Sequence, residues 1–576
     1  MGTISDKLMR IINTKEDIRQ ALISKGYDVP TSIPFKEYAK MILDLPCKVD
    51  SFPDIEGIVA RYSASGLTNE QMAANPVWVD KTGNGYDLQL KNFSWKGMSG
   101  VGGYVVDIDE WGTNSTAAYF ERNSIKITAT FKENASLGLL YHNIKLRQSC
   151  VLKVTGIPKG CDAFLDDRLG NRFYMSEDGV YEIIPSNFLA EALYLSIEKY
   201  PERWYGSKLT IEQLPLYPGA LVFDGVDDRG TCDNFPVLTK EKGYTVVALR
   251  QWDQDFLNTT LTGGLLSTRN YSTGEGVAFE KIESSNKGYW NLGVEGIIDF
   301  AKSPFTWQTS KQYNNVGILK GDKNHGKPLC VGCGLSGGQQ CGRFAIWELV
   351  FLDHDATEEE LAKIKDHFVK TYPWLFPDQA WTVVGKTNED EDRATIANIT
   401  GNGNDLILSN FGFAEGSGYN EEGEYAGYLV TDGVDDRVQD SSFKLNKDWT
   451  LVGEWVLLNQ KATNAGIAKP FSFVVYNRTT GLSLFINTGT SGITIENVKS
   501  IKAICSDGRI YLDDWSEMLI SKDQNITSST SVLSIGFNGT AYTQIAFKNL
   551  GIYNNQILSK DDCIKAYNYL QTLKAK

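Results

Sequence analysis

The sequence predicts a mainly β protein made of two copies of one sandwich module, with a further small β-sandwich set inside the first copy. Three observations predict it. Phe223-Asp-Gly-Val-Asp-Asp-Arg-Gly230 recurs nearly unchanged as Thr431-Asp-Gly-Val-Asp-Asp-Arg-Val438. Three more landmarks recur in the same order: Phe52-Pro-Asp54 as Phe376-Pro-Asp378, Thr68-Asn-Glu70 as Thr387-Asn-Glu389, and Thr82-Gly-Asn-Gly-Tyr-Asp-Leu88 as Thr400-Gly-Asn-Gly-Asn-Asp-Leu406. Ordered self-similarity of this kind marks one module present twice. Finally, 54 Gly, 27 Tyr and 26 Phe suit short strands joined by tight turns.

Spacing sets the domain boundaries. Thr400 and Asp432 are 32 residues apart, but Thr82 and Asp224 are 142 apart, so the first copy carries 110 extra residues. The second copy runs Ala426-Gly-Tyr-Leu-Val-Thr-Asp432 straight into its Asp-rich turn. The first copy starts the same strand at Gly103-Tyr-Val-Val-Asp107, leaves it, and restates it as Leu221-Val-Phe-Asp224. A domain inserted at a surface loop explains this pattern. The expected organisation is a helical segment at 1–46, a first module at 52–107 with 219–375, an inserted β-sandwich at 108–218, and a second module at 376–576.

The elements follow in order. Thr14 with Asp17 reads as a helix cap, Ile18, Ala21 and Leu22 follow at helical spacing, and Gly26 suits the end. Pro34 opens another helix bearing Tyr38, Met41 and Ile42. Such a segment is too short to fold robustly alone, which points to docking or oligomerisation. In the insert, Ile125, Ile127, Ala129 and Phe131 alternate with Lys126, Thr128 and Thr130, the pattern of a half-buried strand. Cys150–Thr155 and Ala192–Ile197 are also strand-like. Both modules close alike. Phe344–Leu352 precedes Thr357-Glu-Glu-Glu360 and a helix bearing Leu361, Ile364 and Phe368; Ile545–Tyr553 precedes Ser559-Lys-Asp-Asp562 and a helix bearing Cys563, Ile564, Tyr567 and Leu570. A Ser/Thr cap with an acid three positions on marks each helix start.

Composition excludes some classes. The net charge is −14 over 576 residues, which argues against nucleic acid and anionic membranes as partners. No apolar run is long enough to span a membrane, and the N-terminus lacks a signal-like apolar core. Nine Cys, mostly isolated, suit synthesis in a reducing cytoplasm, with action outside the cell after lysis.

Four sets of residues are site candidates. Asp224, Asp227 and Asp228, and again Asp432, Asp435 and Asp436, gather carboxylates that calcium would take. Turn chemistry gives the alternative, with Gly supplying a positive-φ turn and Asp bonding nearby backbone; no complete ligand ladder follows, so the turn is the expected reading. The Asn84-Gly85 and Asn402-Gly403 pairs read as turns, and Glu389-Asp-Glu-Asp392 as a solvated loop. Cys330, Cys333 and Cys341 have metal-like spacing, with His325 the nearest histidine for a zinc site, against a plainer reading as free thiols. Trp252, Trp290, Trp381, Trp455 and Trp515 are candidate sugar platforms. Catalytic candidates are lacking. No Glu-x-Asp-x-x-Glu run, no nucleophile beside any of the four His, and no Walker-type loop is present, so no enzyme is expected.

The Thr-Gly-Asn-Gly-x-Asp-Leu motif, the strand into Asp-Gly-Val-Asp-Asp, and the closing strand with its capped helix resemble the concanavalin A-like (laminin-G-like) jelly-roll modules of phage and bacterial surface proteins. The segment Asn13–Gly26 is similar to the opening of structural proteins from tailed phages of gut bacteria, the crAss-like group. The resemblance implies a virion protein, a head or tail fibre or appendage, held to other virion proteins by its N-terminal segment. It also implies lectin-like adhesion to host or mucosal glycans, and a homo-oligomer, a trimer in many fibres. A glycan-processing enzyme of the same fold and a capsid decoration that binds no ligand are the alternatives.

Overall fold

The computed structural model describes most of residues 52–576; the longest stretches outside it are 106–117, 133–143, 291–304, 310–328 and 520–532, with shorter loop stretches besides. Before residue 51 it describes only Lys15 and Arg19, both helical, so the rest of the expected N-terminal helices lies outside the described residues. Met1–Asp54 form one compact unit and Ile55–Lys576 another. No helix among the described residues is long and apolar enough to cross a membrane.

The second unit is mainly β. In the first module the strands Phe305–Thr309, Thr245–Trp252, Arg343–Leu352, Leu221–Asp224 and Gly100–Val101 lie side by side in that order, and Ile58–Ser63 also pairs with Arg343–Leu352. The facing sheet includes Leu88–Lys91, Arg229–Cys232, Leu329–Val331 and Gly263–Ser267. Leu88 and Leu90 from one sheet meet Phe344 and Ile346 from the other in one core. Burying each such side chain contributes roughly 1.5–3 kcal/mol. The second module repeats the plan. Gln544–Asn554 pairs with Trp449–Asn459 on one side and shares its other edge between Gln379–Thr382 and Tyr428–Val430. The sheet Thr395–Ile396, Leu406–Ser409, Arg437–Asp440, Leu533–Ile535 and Ala468–Lys469 faces it across a core holding Leu406, Leu408, Ile545 and Phe547.

Strands between Ala118 and Leu214 pair only with one another among the described residues, as a five-stranded and a four-stranded sheet around their own core. Ile127, Ala129 and Phe131 are buried in that core, as their alternation predicts. The point of departure differs from the sequence reading. Gly103–Val105 is not strand; instead Gly100–Val101 pairs directly with Leu221–Val222. In the second copy Gly418–Asn420 pairs with Tyr428–Val430 through an ordinary hairpin. The inserted domain therefore replaces a hairpin tip rather than interrupting a strand. The re-entry is fastened where Tyr217 N donates to Gly102 O (2.8 Å) and Trp347 Nε1 donates to Pro218 O (2.8 Å).

The closing helices form as their caps predict. Thr357 and Glu360 make a reciprocal capping box for Glu358–Thr371, and Ser559 Oγ accepts from Asp562 N (3.1 Å) at the head of Lys560–Gln571. One threonine in each copy ties helix to sheet. Thr245 Oγ1 donates to His354 O and accepts from Ala356 N; Thr450 Oγ1 donates to Gln556 O and accepts from Leu558 N.

Candidate functional site

The repeated Asp-rich turn sits beside a second repeated loop in each module. In the first copy, Asp228 is fully buried. Its Oδ2 accepts from Asp224 N (3.0 Å) and its Oδ1 from Ser99 Oγ (3.0 Å), while Ser99 Oγ accepts from Ser94 N (2.8 Å). In the second copy Asp436 accepts from Asp432 N (2.8 Å) and Ser417 Oγ (3.1 Å), and Ser417 Oγ accepts from Gly412 N (2.8 Å). Asn92 Nδ2 donates to Asp227 O and Oδ2, and Asn410 Nδ2 to Asp435 O. The buried carboxylate thus fastens the loop 92–99, or 410–417, to the turn.

Each clamped loop carries a half-buried aromatic ring that packs partly against its module's core, and each turn carries an exposed valine. Trp95 and Phe413 occupy equivalent places on left-handed backbone, φ 57° and 49°. A bulky residue there is strained by about 1–3 kcal/mol and persists only where its surroundings hold it. Backbone hydrogen bonds between Lys96 and Ser99, and between Ala414 and Ser417, provide that hold. Trp95 stacks on Phe93 (centroids 4.8 Å apart), and Arg393 lies 5.1 Å over the Phe413 ring. At the turn tips Val226 and Val434 are 73% and 56% exposed.

The structure brings each aspartate triplet together, with one carboxylate oxygen of each residue within 4.8 Å of the others. Calcium needs six to eight oxygens. Both Asp228 oxygens are already engaged, and Asp224 Oδ1 accepts from Val226 N (2.7 Å). The donors serve the turn first. Calcium at roughly 10 mM, above the weakest affinities of extracellular calcium modules, is expected to leave the thermal midpoint unchanged. A rise of several degrees that Asp224→Asn removes would instead assign a calcium site.

Burial pushes the Asp228 carboxyl up to about 8, helped by the charges of Asp224 and Asp227 and opposed by the Ser99 and Asp224 hydrogen bonds. The same causes raise Asp436 to about 6. A neutral acid beside other carboxylates is an arrangement that glycoside hydrolysis uses. Here Asp228 is enclosed and doubly bonded, which keeps it from a sugar oxygen.

Two other sequence candidates are corrected. Cys333 and Cys341, paired directly across adjacent strands, form a disulfide, so they are neither zinc thiolates nor free; Cys330 is buried and outside that disulfide, and His325 lies outside the described residues. Trp252 and Trp381 are core residues and not platforms, and Trp515 is buried at the edge of a cleft rather than presenting an open face. The side chains of Trp290 and Trp455 lie outside the described residues. Of the tryptophans whose side chains are described, only Trp95 escapes full burial. The Asn84-Gly85 and Asn402-Gly403 turns are present, with positive φ at both glycines, and Asp392 of the acidic loop pairs with Lys386 (2.6 Å).

The fold and site define a class, a mainly β protein of paired sandwiches with an edge surface repeated in each copy. No family model matches the chain, and no curated relative does. Solved structures that resemble it include a Trypanosoma rangeli sialidase in complex with sialic acid, 10% identical over 78% of this chain and 83% of that one, TM-score 0.25. Another is the botulinum neurotoxin serotype D binding domain, 11% identical over 59% of this chain and 88% of that one, TM-score 0.22. The serotype D ligand-binding domain in complex with N-acetylneuraminic acid is 9% identical over 87% and 96%, TM-score 0.23. At these TM-scores the likeness specifies neither a domain arrangement nor a site.

Proposed function

We propose that the protein is a virion appendage that adheres to glycans through the loop-and-turn surface repeated in its two sandwich modules. One observation carries the reading: each copy holds a half-buried aromatic ring on strained backbone in a loop fastened to a carboxylate turn whose valine is exposed, while the other described tryptophans are buried. An aromatic face takes the C–H side of a sugar, and adjacent carboxylate and amide groups take its hydroxyls. A rigid clamp beneath them lowers the cost of ordering on binding. Such contacts are individually weak. Two surfaces per chain, multiplied in an oligomer, supply the affinity by avidity.

The virion setting rests on the N-terminal resemblance. Adhesion, not hydrolysis, is the activity, because the one raised acid of each turn is enclosed. The intact protein on a glycan array is expected to retain a limited set of glycans and release no reducing sugar from them. Mass spectrometry of purified virions is expected to find the chain. Sugar release abolished by a carboxylate substitution, or virions without the protein, would overturn the proposal.

A further inference from the structure

We propose that a second binding site, sharing no residue with the loop-and-turn surfaces, lies in a cleft between the inserted sandwich and the closing helix of the second module, and that it takes a neutral saccharide of one or two rings. The cleft has a volume of about 470 Å³, within the range of small-molecule sites. One wall is sheet and exit strand from the insert, with Val154 and Leu214. The other is the helix Lys560–Gln571 and the turn before it, with Ile564, Asn568 and Trp515. Lys560, Ile564 and Asn568 follow at helical spacing and so share one face.

Two of these lining residues are buried polar side chains with an unmet hydrogen-bonding atom. Asn568 and Trp515 are each 2% exposed. Asn568 Oδ1 and Trp515 Nε1 have no hydrogen-bond partner. Each such orphan costs about 1–3 kcal/mol and calls for an explanation. One is an acceptor and the other an N–H donor, and a hydroxyl group satisfies both kinds. The apolar walls suit the C–H face of a sugar ring.

Charge on the rim is close to balanced, three lysines against two aspartates, and part of it is engaged. Asp178 accepts from Gly156 N and Ile157 N (2.6 and 2.8 Å), and Lys565 contacts Asp562 (3.4 Å) and the Trp374 ring (4.3 Å). Lys153, Lys560 and Asp561 complete the rim. Nothing there demands an ionised ligand.

The test uses the intact chain and saturation-transfer NMR with free glucose, galactose, N-acetylglucosamine, lactose and maltose. At least one sugar is expected to bind. Its affinity is expected to fall about tenfold, the loss of one good hydrogen bond, in Asn568→Leu and in Trp515→Phe, which keeps an aromatic ring. Ile564→Trp, which fills the cleft while leaving both orphan residues in the sequence, is expected to abolish binding, and it keeps the test sound if a buried variant fails to fold. Failure of every sugar to bind overturns the site. Binding that Ile564→Trp leaves intact but Trp95→Ala with Phe413→Ala removes also overturns it, while leaving adhesion by the loop surfaces standing. A blank glycan array alongside sugar binding lost in Ile564→Trp would reject the loop surfaces and keep the cleft.

Discussion

Lys502→Met is expected to destabilise the second sandwich by about 3–5 kcal/mol, the cost of leaving half of a buried ion pair. Lys502 Nζ donates to Glu454 Oε1 (2.7 Å) and to the Tyr567 hydroxyl (3.0 Å), and Tyr567 donates to Glu454 Oε2 (2.7 Å). Both side chains of the pair are 7% exposed. Burial works against the Glu454 charge, but Lys502, Lys548 and the hydrogen bonds from Lys502 and Tyr567 hold its carboxyl well below the usual range. The network runs from sheet to closing helix, through Tyr567 and Gln571. The helix is therefore expected to loosen first, seen as early proteolytic cleavage near residue 560. Lys502→Met with Glu454→Met is expected to recover part of the loss, because the Glu454 carboxylate is no longer left without Lys502, while the buried Lys548 loses its attraction to Glu454. Thermal unfolding of the three proteins checks this. A double variant no better than the single would mean that the pair does not act as a unit.

Asp228→Asn is expected to remove a pH dependence of stability. The folded carboxyl sits at about 8, against about 3.9 in an unfolded chain. Between those values the folded state binds the extra proton, so stability from this group is full below about pH 4 and is lost as pH rises toward 8. Asn keeps the shape, offers its oxygen to Asp224 N–H, and donates from its nitrogen to Ser99 Oγ. Relative to the natural residue it should gain on the order of 1.4 kcal/mol for each pH unit across that window. The measurement is the thermal midpoint of both proteins at pH 4 and pH 8, with the variant gaining on the natural protein between them. An equal offset at both values would contradict a raised Asp228. In the second copy Asp436, at about 6, has the narrower window of about pH 4 to 6.

Some of this was open to sequence reading because it is local. Thr357-x-x-Glu360 and the alternation around Ile127 state their own hydrogen bonds and burial within a few residues. The insertion was legible because the two copies act as rulers for each other. Its point of departure was not, since Gly103–Asp107 is apolar enough to read as strand, and only pairing shows that Gly100–Val101 takes that place.

The site was half legible. The aspartates stood out by repetition, but their repetition records a clamp. The presenting loop also repeats, as Phe93-Ser-Trp-Lys-Gly-Met-Ser-Gly100 and Phe411-Gly-Phe-Ala-Glu-Gly-Ser-Gly418, and comparing these would have found Trp95 and Phe413. Tryptophan type alone misled, because a large ring is as useful to a core as to a surface. The disulfide was hidden because Cys333 and Cys341 meet through strand pairing, which spacing does not state. The buried ion pairs were hidden for another reason. Glu348 of the first copy, bonded to Arg61 (3.2 Å), lies opposite Leu249, whereas in the second copy Glu454 lies opposite Asn549. The carboxylate has changed strands, so the copies do not align there.

The most direct test of adhesion by the repeated surface is the binding of intact protein to an immobilised glycan from the array, compared with Trp95→Ala, Phe413→Ala and both together. Each single variant is predicted to bind about tenfold more weakly, the worth of one aromatic contact of ~1.4 kcal/mol, and the double variant to lose binding while staying folded, with midpoints lowered because both rings also pack on their cores. A folded double variant that binds as well as the natural protein would contradict the account.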